Sequence, residues 1–454
     1  MEMVTELLPA VMFGTLVLGL FSNLPVGIVL MAISLIFGGL ALMLGEMRFA
    51  QITLIPNRIF GSVIDNPVLV AAPMFVFMGV VMEKTQVAED LLLTLQKVLY
   101  RVPGGLALAV VLMGTILAAA TGIVGASVVM LTVLALPTMV QRGYDPALSS
   151  GTVASAGTLG ILIPPSVMLV FMGDLMSLNL ARLFVAAFLP GLILAGIYLV
   201  YIVLRAWLDP ASAPKAGADG TAPDRVTLGE LAFSLVTPLF IIIAVLGSIL
   251  GGWATPTEAS GVGVGAALLL AALRGKLSMQ ALNGAMDGSI RTLAMLFLIF
   301  VGATAFSYLF RVLGGDDFIV DTARSLNLGD WGLLLMMMGM VFVMGFFFDW
   351  VEITLILLPI FAPIVDLMDL GDHIAKTDLI YWFAVLVAVN LQTSFLTPPF
   401  GFALFFLKGA AGDLVTMRQI YRGVVPFVLL QLLALGVLVW KPAIVMALPG
   451  LLLN

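Results

Sequence analysis

Two short runs decide how this chain folds: Gly160-Ile161-Leu162-Ile163-Pro164-Pro165-Ser166 and Ser394-Phe395-Leu396-Thr397-Pro398-Pro399-Phe400. Each proline pair sits within an uncharged apolar stretch, 146–173 in one case and 379–407 in the other. Proline has no N–H, so Pro164 and Pro165 leave the carbonyls of Gly160 and Ile161 without helical partners. Pro398 and Pro399 do the same to Ser394 and Phe395, with Thr397 expected as N-cap and Pro398 at the first position of a new helix. Inside a bilayer, unpaired backbone persists only where protein, water or an ion satisfies it. Freed carbonyls can ligate a small cation such as sodium, and the helix N-terminus that follows favours an anion. Ser155, Thr158 and Ser166 flank the first pair; Asn390, Gln392, Thr393, Ser394 and Thr397 flank the second. A single Pro-Pro is most simply a kink in a packed helix. Two at matching positions, each beside a polar cluster, argue for a binding site.

The rest of the chain sets these runs in a membrane. Of 454 residues, 62% are hydrophobic and 10% charged, against about 25% charged in a soluble domain. That composition excludes a soluble enzyme, a nucleic-acid binder and a disordered regulator, and the net charge of −6 offers no basic surface for a phosphate backbone. There is no Cys and one His, His373, so neither thiolate chemistry nor a His-rich metal site is expected. The first basic residue is Arg48, so the opening segment, 4–21, reads as a retained span rather than a signal peptide. Further spans of ~20 apolar residues read at 24–45, 66–83, 188–208, 228–250, 253–273, 291–311 and 423–445. Two longer runs, 102–141 and 331–368, are interrupted in the middle.

These elements recur in one order, the second set about 224 residues after the first. The expected plan is a first repeat over 1–208, a cytoplasmic linker over 209–227 and a second repeat over 228–454. Within each, scaffold spans lead to an amphipathic arm (88–101, 315–328), a hairpin (102–141, 331–368) and a broken helix (146–173, 379–407). Thr132–Pro137 resembles Thr354–Pro359 in support. Whether the hairpins are re-entrant or fully spanning, each repeat crosses the membrane an odd number of times. The repeats are therefore expected to be inverted, an all-α polytopic arrangement found in secondary transporters. With 13 of the 20 basic residues on the side of Arg205 and Arg274, that side is placed in the cytoplasm and both chain ends outside.

The hairpin interruptions carry the remaining candidates. The first, around Thr121, Gly122, Gly125 and Ser127, is small and polar, fitting either a re-entrant tip or close helix packing. The second contains Gly345, Asp349 and Glu352, and the two acids three apart share a helical face. Acids within a membrane are costly enough to suggest function, unless the segment reaches the water interface. Thr255-Pro256-Thr257-Glu258 matches a capping box, and His373 reads as a loop residue.

The chain resembles the large membrane subunit of tripartite ATP-independent periplasmic (TRAP) transporters, the DctM-like permeases. The residues that carry this are Gln141–Pro146, Pro164–Ser166, Trp253–Ala259 and Thr397–Gly401, whose order covers nearly the whole chain. The resemblance implies an inverted-repeat elevator transporter in the bacterial inner membrane that imports organic acids with sodium as coupling ion and no bound cofactor. Its implied partners are a periplasmic substrate-binding protein and a small four-span membrane subunit, expected here as a separate chain. Solute contacts are then expected from Thr121, Ser127, Ser155, Thr158, Ser166, Asn390, Thr393 and Thr397. Sodium contacts are expected from Gly122, Gly125, Gly160, Ile161, Gly345, Asp349, Ser394 and Phe395. The first tip is less Ser-rich than in sialic-acid members of the family. A related symporter that needs no binding protein is the alternative. An intramembrane enzyme is disfavoured, because no His-Glu-x-x-His motif or Cys is present.

Overall fold

The computed structural model describes residues 7–22, 24–121, 124–214, 227–325, 328–398 and 401–453. Among these the chain is entirely helical, and nine helices are long and apolar enough to cross a membrane. The first half runs α1 (Leu8–Leu20), α2 (Val26–Leu44), α3 (Phe49–Ile52), α4 (Leu54–Ile59), a π-turn (Phe60–Ile64) and α5 (Ala71–Lys84). It continues with α6 (Val87–Val98), α7 (Gly105–Thr121), α8 (Val124–Gln141), α9 (Pro146–Thr158), α10 (Val167–Leu175) and α11 (Leu180–Leu208). The second half runs α12 (Leu228–Leu250), α13 (Pro256–Leu273), α14 (Met279–Val312), α15 (Gly315–Ser325), α16 (Gly329–Met344) and α17 (Trp350–Leu367). It ends with α18 (Lys376–Leu396), α19 (Phe402–Ala411), α20 (Met417–Trp440) and α21 (Ala443–Leu452).

In each half a short amphipathic helix (α6, α15) precedes two helix pairs (α7–α8 and α9–α10; α16–α17 and α18–α19), and one expectation changes. Of the segment over 4–21, residues 8–20 form the 13-residue α1, and residues 4–6 lie outside the described residues. The span over 66–83 starts late, because Asp65-Asn66-Pro67 forms a turn in which the Asn66 side chain accepts from the Val68 N–H at 3.0 Å. Proline disfavours helix at the residue before it, and the Asx turn offers the backbone an alternative. The second half has no proline there, so α14 runs unbroken for 34 residues. Most of the linker, 215–226, lies outside the described residues.

Packing sorts the helices into two bundles, each built from both halves. In one, α2 packs on α14, and α13 on α5 and α12. In the other, α9 packs on α8, α7 and α20, while α18 packs on α16, α20 and α11. Helices α9 and α18 are central: α9 is buried over nearly its whole length, and 94% of the best apolar window of α18 is buried. Small residues let backbones touch in both bundles. A side chain on Gly151 of α9 would meet the Gly423 carbonyl of α20, and one on Gly302 would come within 2.5 Å of the Gly27 carbonyl. The amphipathic helices α6 and α15 bridge from the first bundle to the second in each half.

If the halves are inverted, α6 and α15 lie at opposite membrane faces. Val98→Cys and Asp317→Cys, both exposed positions in a Cys-free chain, should react with an impermeant thiol reagent from opposite sides of oriented vesicles. Reaction of both from one side would contradict inversion.

Candidate functional site

The first broken helix is set up by its ends. Pro146 at the first turn and the Asp145 carboxylate, accepting from the Ala147 N–H at 3.0 Å, start α9. It closes in a 3₁₀ turn at Leu159–Ile161 ahead of the cis Pro164–Pro165 bond. Ser166 then donates its hydroxyl to the Ile161 carbonyl at 2.8 Å. One of the two carbonyls expected to be free is therefore taken up locally, and Ser166 is engaged in doing so. Gly160 lies inside the 3₁₀ turn.

In the second broken helix the expected start differs. Thr397 is not an N-cap: it closes α18, its N–H bonding the Ser394 carbonyl at 3.1 Å and its hydroxyl the Thr393 carbonyl at 2.8 Å. The next helix begins five residues later, at Phe402, after Gly401 with φ of 48°. A buried chain that loses an α-helical bond takes the nearest substitute, and Thr397 supplies two. The Ser394 carbonyl is thus paired too. Pro399 and Phe400 lie outside the described residues.

The two broken helices meet through side chains. Gln392 Nε2 donates to Thr158 Oγ1 at 3.4 Å, and Thr158 Oγ1 donates to the Ser155 carbonyl at 3.0 Å. Around this link, Ser155 Oγ, Thr152 Oγ1 and Gln392 Oε1 are fully buried with no hydrogen-bond partner among the described residues. An unsatisfied buried polar group costs about 1–3 kcal/mol, so three together mark a place kept polar for something else. Thr152 was not anticipated from sequence, although its spacing of three from Ser155 puts the two on one face. Asn390 instead donates to the Met338 carbonyl of α16 at 2.6 Å, and Thr393 bonds back to Val389, so both tie the helix in place.

Both hairpins reach this centre. Val128 of α8 packs on Gly157 of α9, where an added Cβ would lie 2.6 Å from it. Gly125 faces the ring of Phe406 on α19 rather than the first proline turn. Ser127 is buried; Gly122 lies outside the described residues, as does the Thr121 side chain. In the second hairpin, Gly345 abuts the Ser394 side chain with no room for a Cβ. Asp349 caps α17, its carboxylate accepting from the Trp350 N–H at 2.7 Å while Glu352 accepts from the Asp349 N–H at 3.3 Å. This capping box is the same device that Thr255 and Glu258 form at α13. Among the described residues no three His, Cys, Asp or Glu side chains converge. A cation in this centre would be held by hydroxyl, amide and carbonyl oxygens, and the unpartnered Ser155 and Gln392 oxygens fit that donor set.

Residues 13–444 match the model of the tripartite ATP-independent periplasmic transporter, DctM component. The chain is similar to the C4-dicarboxylate TRAP transporter large permease protein DctM of Pseudomonas aeruginosa, 30% identical over 85% of this chain and 87% of that protein. It is also similar to the isethionate TRAP transporter permease protein DctMQ of Oleidesulfovibrio alaskensis, 29% identical over 85% of this chain and 59% of that one. Among solved structures, the Alcanivorax borkumensis YdaH transporter shares the fold with TM-score 0.60 at 15% identity, covering 88% of this chain and 89% of its own.

Two substitutions test the geometry. Gly345→Ala should lower thermal stability by about 1–3 kcal/mol through overpacking, and Ser394→Gly in the same chain should restore most of it. Additive losses would show that the tip does not bear on α18. Asp349→Ala should cost ~1 kcal/mol as a lost cap while Asp349→Asn, itself a good cap, should unfold near the parent temperature.

Proposed function

Because the chain belongs to the DctM component family of tripartite ATP-independent periplasmic transporters, and is a multi-pass inner-membrane protein, we propose that it imports a small organic acid by sodium-coupled symport. The observation that carries this reading is the meeting of the two broken helices at Thr158 and Gln392, with unpartnered buried oxygens on Ser155, Thr152 and Gln392. These oxygens offer a dehydrated cation the ligands it loses on leaving water, and the N-terminus of α10 offers its partial positive charge to a carboxylate. Val128 of the first hairpin against Gly157 and Gly345 of the second against Ser394 support a reading in which each hairpin covers its broken helix.

The first arm of each hairpin supports a re-entrant reading, α7 with 17 residues and α16 with 16, a rise of about 25 Å; the second arms, α8 and α17, have 18 residues each and are among the nine helices long enough to cross. The bundle of α7–α11 with α16–α20 then moves as the elevator against the bundle around α2, α5 and α12–α14. A periplasmic binding protein delivers the solute and a small membrane subunit steadies the static bundle. The relative named DctMQ, of which this chain covers 59%, fits a partner subunit joined to that protein.

Uptake by proteoliposomes supplied with the binding protein should require an inward sodium gradient, with potassium unable to replace it. Asp349→Asn should raise the sodium concentration needed for half-maximal uptake, since it removes a negative charge from the second hairpin without removing the cap. Equal uptake driven by a proton gradient alone would refute sodium coupling.

A further inference from the structure

Apart from the proline turns, the structure holds a cavity of about 630 Å³ between the two bundles, within the range of small-molecule sites. On one wall, α4 and the π-turn present Arg58 and Ser62; on the other, α14 presents Thr304, Ser307, Tyr308 and Arg311. The spacing of three and four residues puts the α14 set on one face. The far wall is Asp174 at the end of α10 with Leu355 and Pro359 of α17. The cavity therefore touches the broken helix of one half and the hairpin of the other.

Its charge is unbalanced. Asp174 is engaged by Asn66 Nδ2 at 2.8 Å. Arg311 meets Asp316 only at 3.9 Å, both side chains half-exposed, a geometry worth little. Arg58 has no hydrogen bond or ion pair among the described residues; its guanidinium lies 5.7 Å over the Tyr308 ring. Two guanidinium groups and four hydroxyls thus face a space that holds one already-bonded carboxylate. In the orientation argued above, α14 and α10 both end on the exterior side, which carries only seven of the 20 basic residues. Two of those seven line this one cavity. Guanidinium forks match carboxylates in shape as well as charge.

We infer that this cavity is a receiving site for a carboxylate solute, with Arg58 and Arg311 as its anion-binding residues, separate from the site at the proline turns. The inference rests on the proposed import of an organic acid and adds the place where the solute first docks. Its inner end leads to the second hairpin: Phe300, which lines the cavity, packs on Phe171 at 4.6 Å, and Phe171 stacks on Trp350 at 5.6 Å. Trp350 follows the Asp349 cap directly, so a solute held by the arginines lies against the aromatic wall that backs the hairpin tip.

The absence of Cys allows a direct test on the whole chain in phosphatidylcholine nanodiscs. A cysteine at Ser307→Cys, with Thr304→Cys as a second probe, is labelled by an anionic and a cationic methanethiosulfonate. The anionic reagent should react about tenfold faster, in line with focusing by a charged cleft. Arg58→Gln with Arg311→Gln should erase that preference. Millimolar succinate should slow labelling severalfold, whereas sodium chloride at equal ionic strength and the neutral diamide of succinate should not. The inference is overturned if reagent charge makes no difference, if the preference survives loss of both arginines, or if succinate and lactate both fail to protect. Protection that appears only with phosphatidylglycerol in the disc would overturn it in favour of a lipid headgroup. The labelling needs no sodium, so its failure leaves sodium-coupled import standing, and a failure of coupling leaves the docking site standing.

Discussion

Inside hydrocarbon, a backbone or side-chain oxygen that loses its hydrogen-bond partner has no water to turn to, and this fold is arranged around that constraint. Two proline pairs remove helical donors in the middle of two buried helices. Local substitutes recover part of the deficit: the Ser166 hydroxyl on the Ile161 carbonyl, and the Thr397 N–H and hydroxyl on the Ser394 and Thr393 carbonyls. Separately, side-chain oxygens of Thr152, Ser155 and Gln392, on the two helices that meet at Thr158 and Gln392, have no partner among the described residues. Burying both helices on all sides keeps this polar centre away from lipid, and that burial requires neighbours that approach closely. The small residues along α9 follow from the same requirement.

The two bundles respond to different demands. One joins α2 to α14 and α5 to α13, with much of its outer surface apolar and exposed, as for helices facing lipid: Leu35, Ile36, Ile243 and Leu269 are all well exposed. The other encloses α9 and α18 and exposes little of either. The two also pack directly on each other, α5 on α7 and α10, α12 on α7, and α14 on α17. Asn66 reaches Asp174 across the boundary, and the arm helix α6 is held near α12 and α13 by Asp90, which pairs with Arg274 at 3.1 Å and Lys276 at 3.4 Å. Within the second bundle the halves are tied by Arg182 and Asp378 at 2.6 Å, and by the Tyr198 and Gln431 side chains.

Much of this plan could be read from residue patterns, because hydropathy and proline placement act locally. The helical, membrane-spanning class came from apolar run lengths, and the capping box at Thr255 from four consecutive residues. The misreadings have local causes of another kind. Apolar residues over 66–83 count toward a span whether or not they are helical, and the Asn66 side chain with Pro67 turns the chain there. Thr397 could cap either the helix before it or the one after, and its spacing of four from Thr393 decides for the former. The roles of Asn390, bound to a carbonyl on α16, and of Arg58, beside Tyr308 from the other half of the chain, depend on contacts made across more than 50 residues. No local pattern encodes those.

The break at Pro67 has a consequence for symmetry. A protein built from two halves with one plan can pass between two end states by letting each half take up the shape of the other. That exchange needs both halves to be capable of the same bends. Here the first half has a joint at Asn66–Pro67, while its counterpart α14 is a continuous rod of 34 residues. A proline-free helix does not acquire a joint without giving up backbone hydrogen bonds, so α14 cannot copy the bend of its partner. The two halves of this chain therefore differ in where they can bend: the joint lies at Asn66–Pro67 in the first, and α14 of the second is continuous.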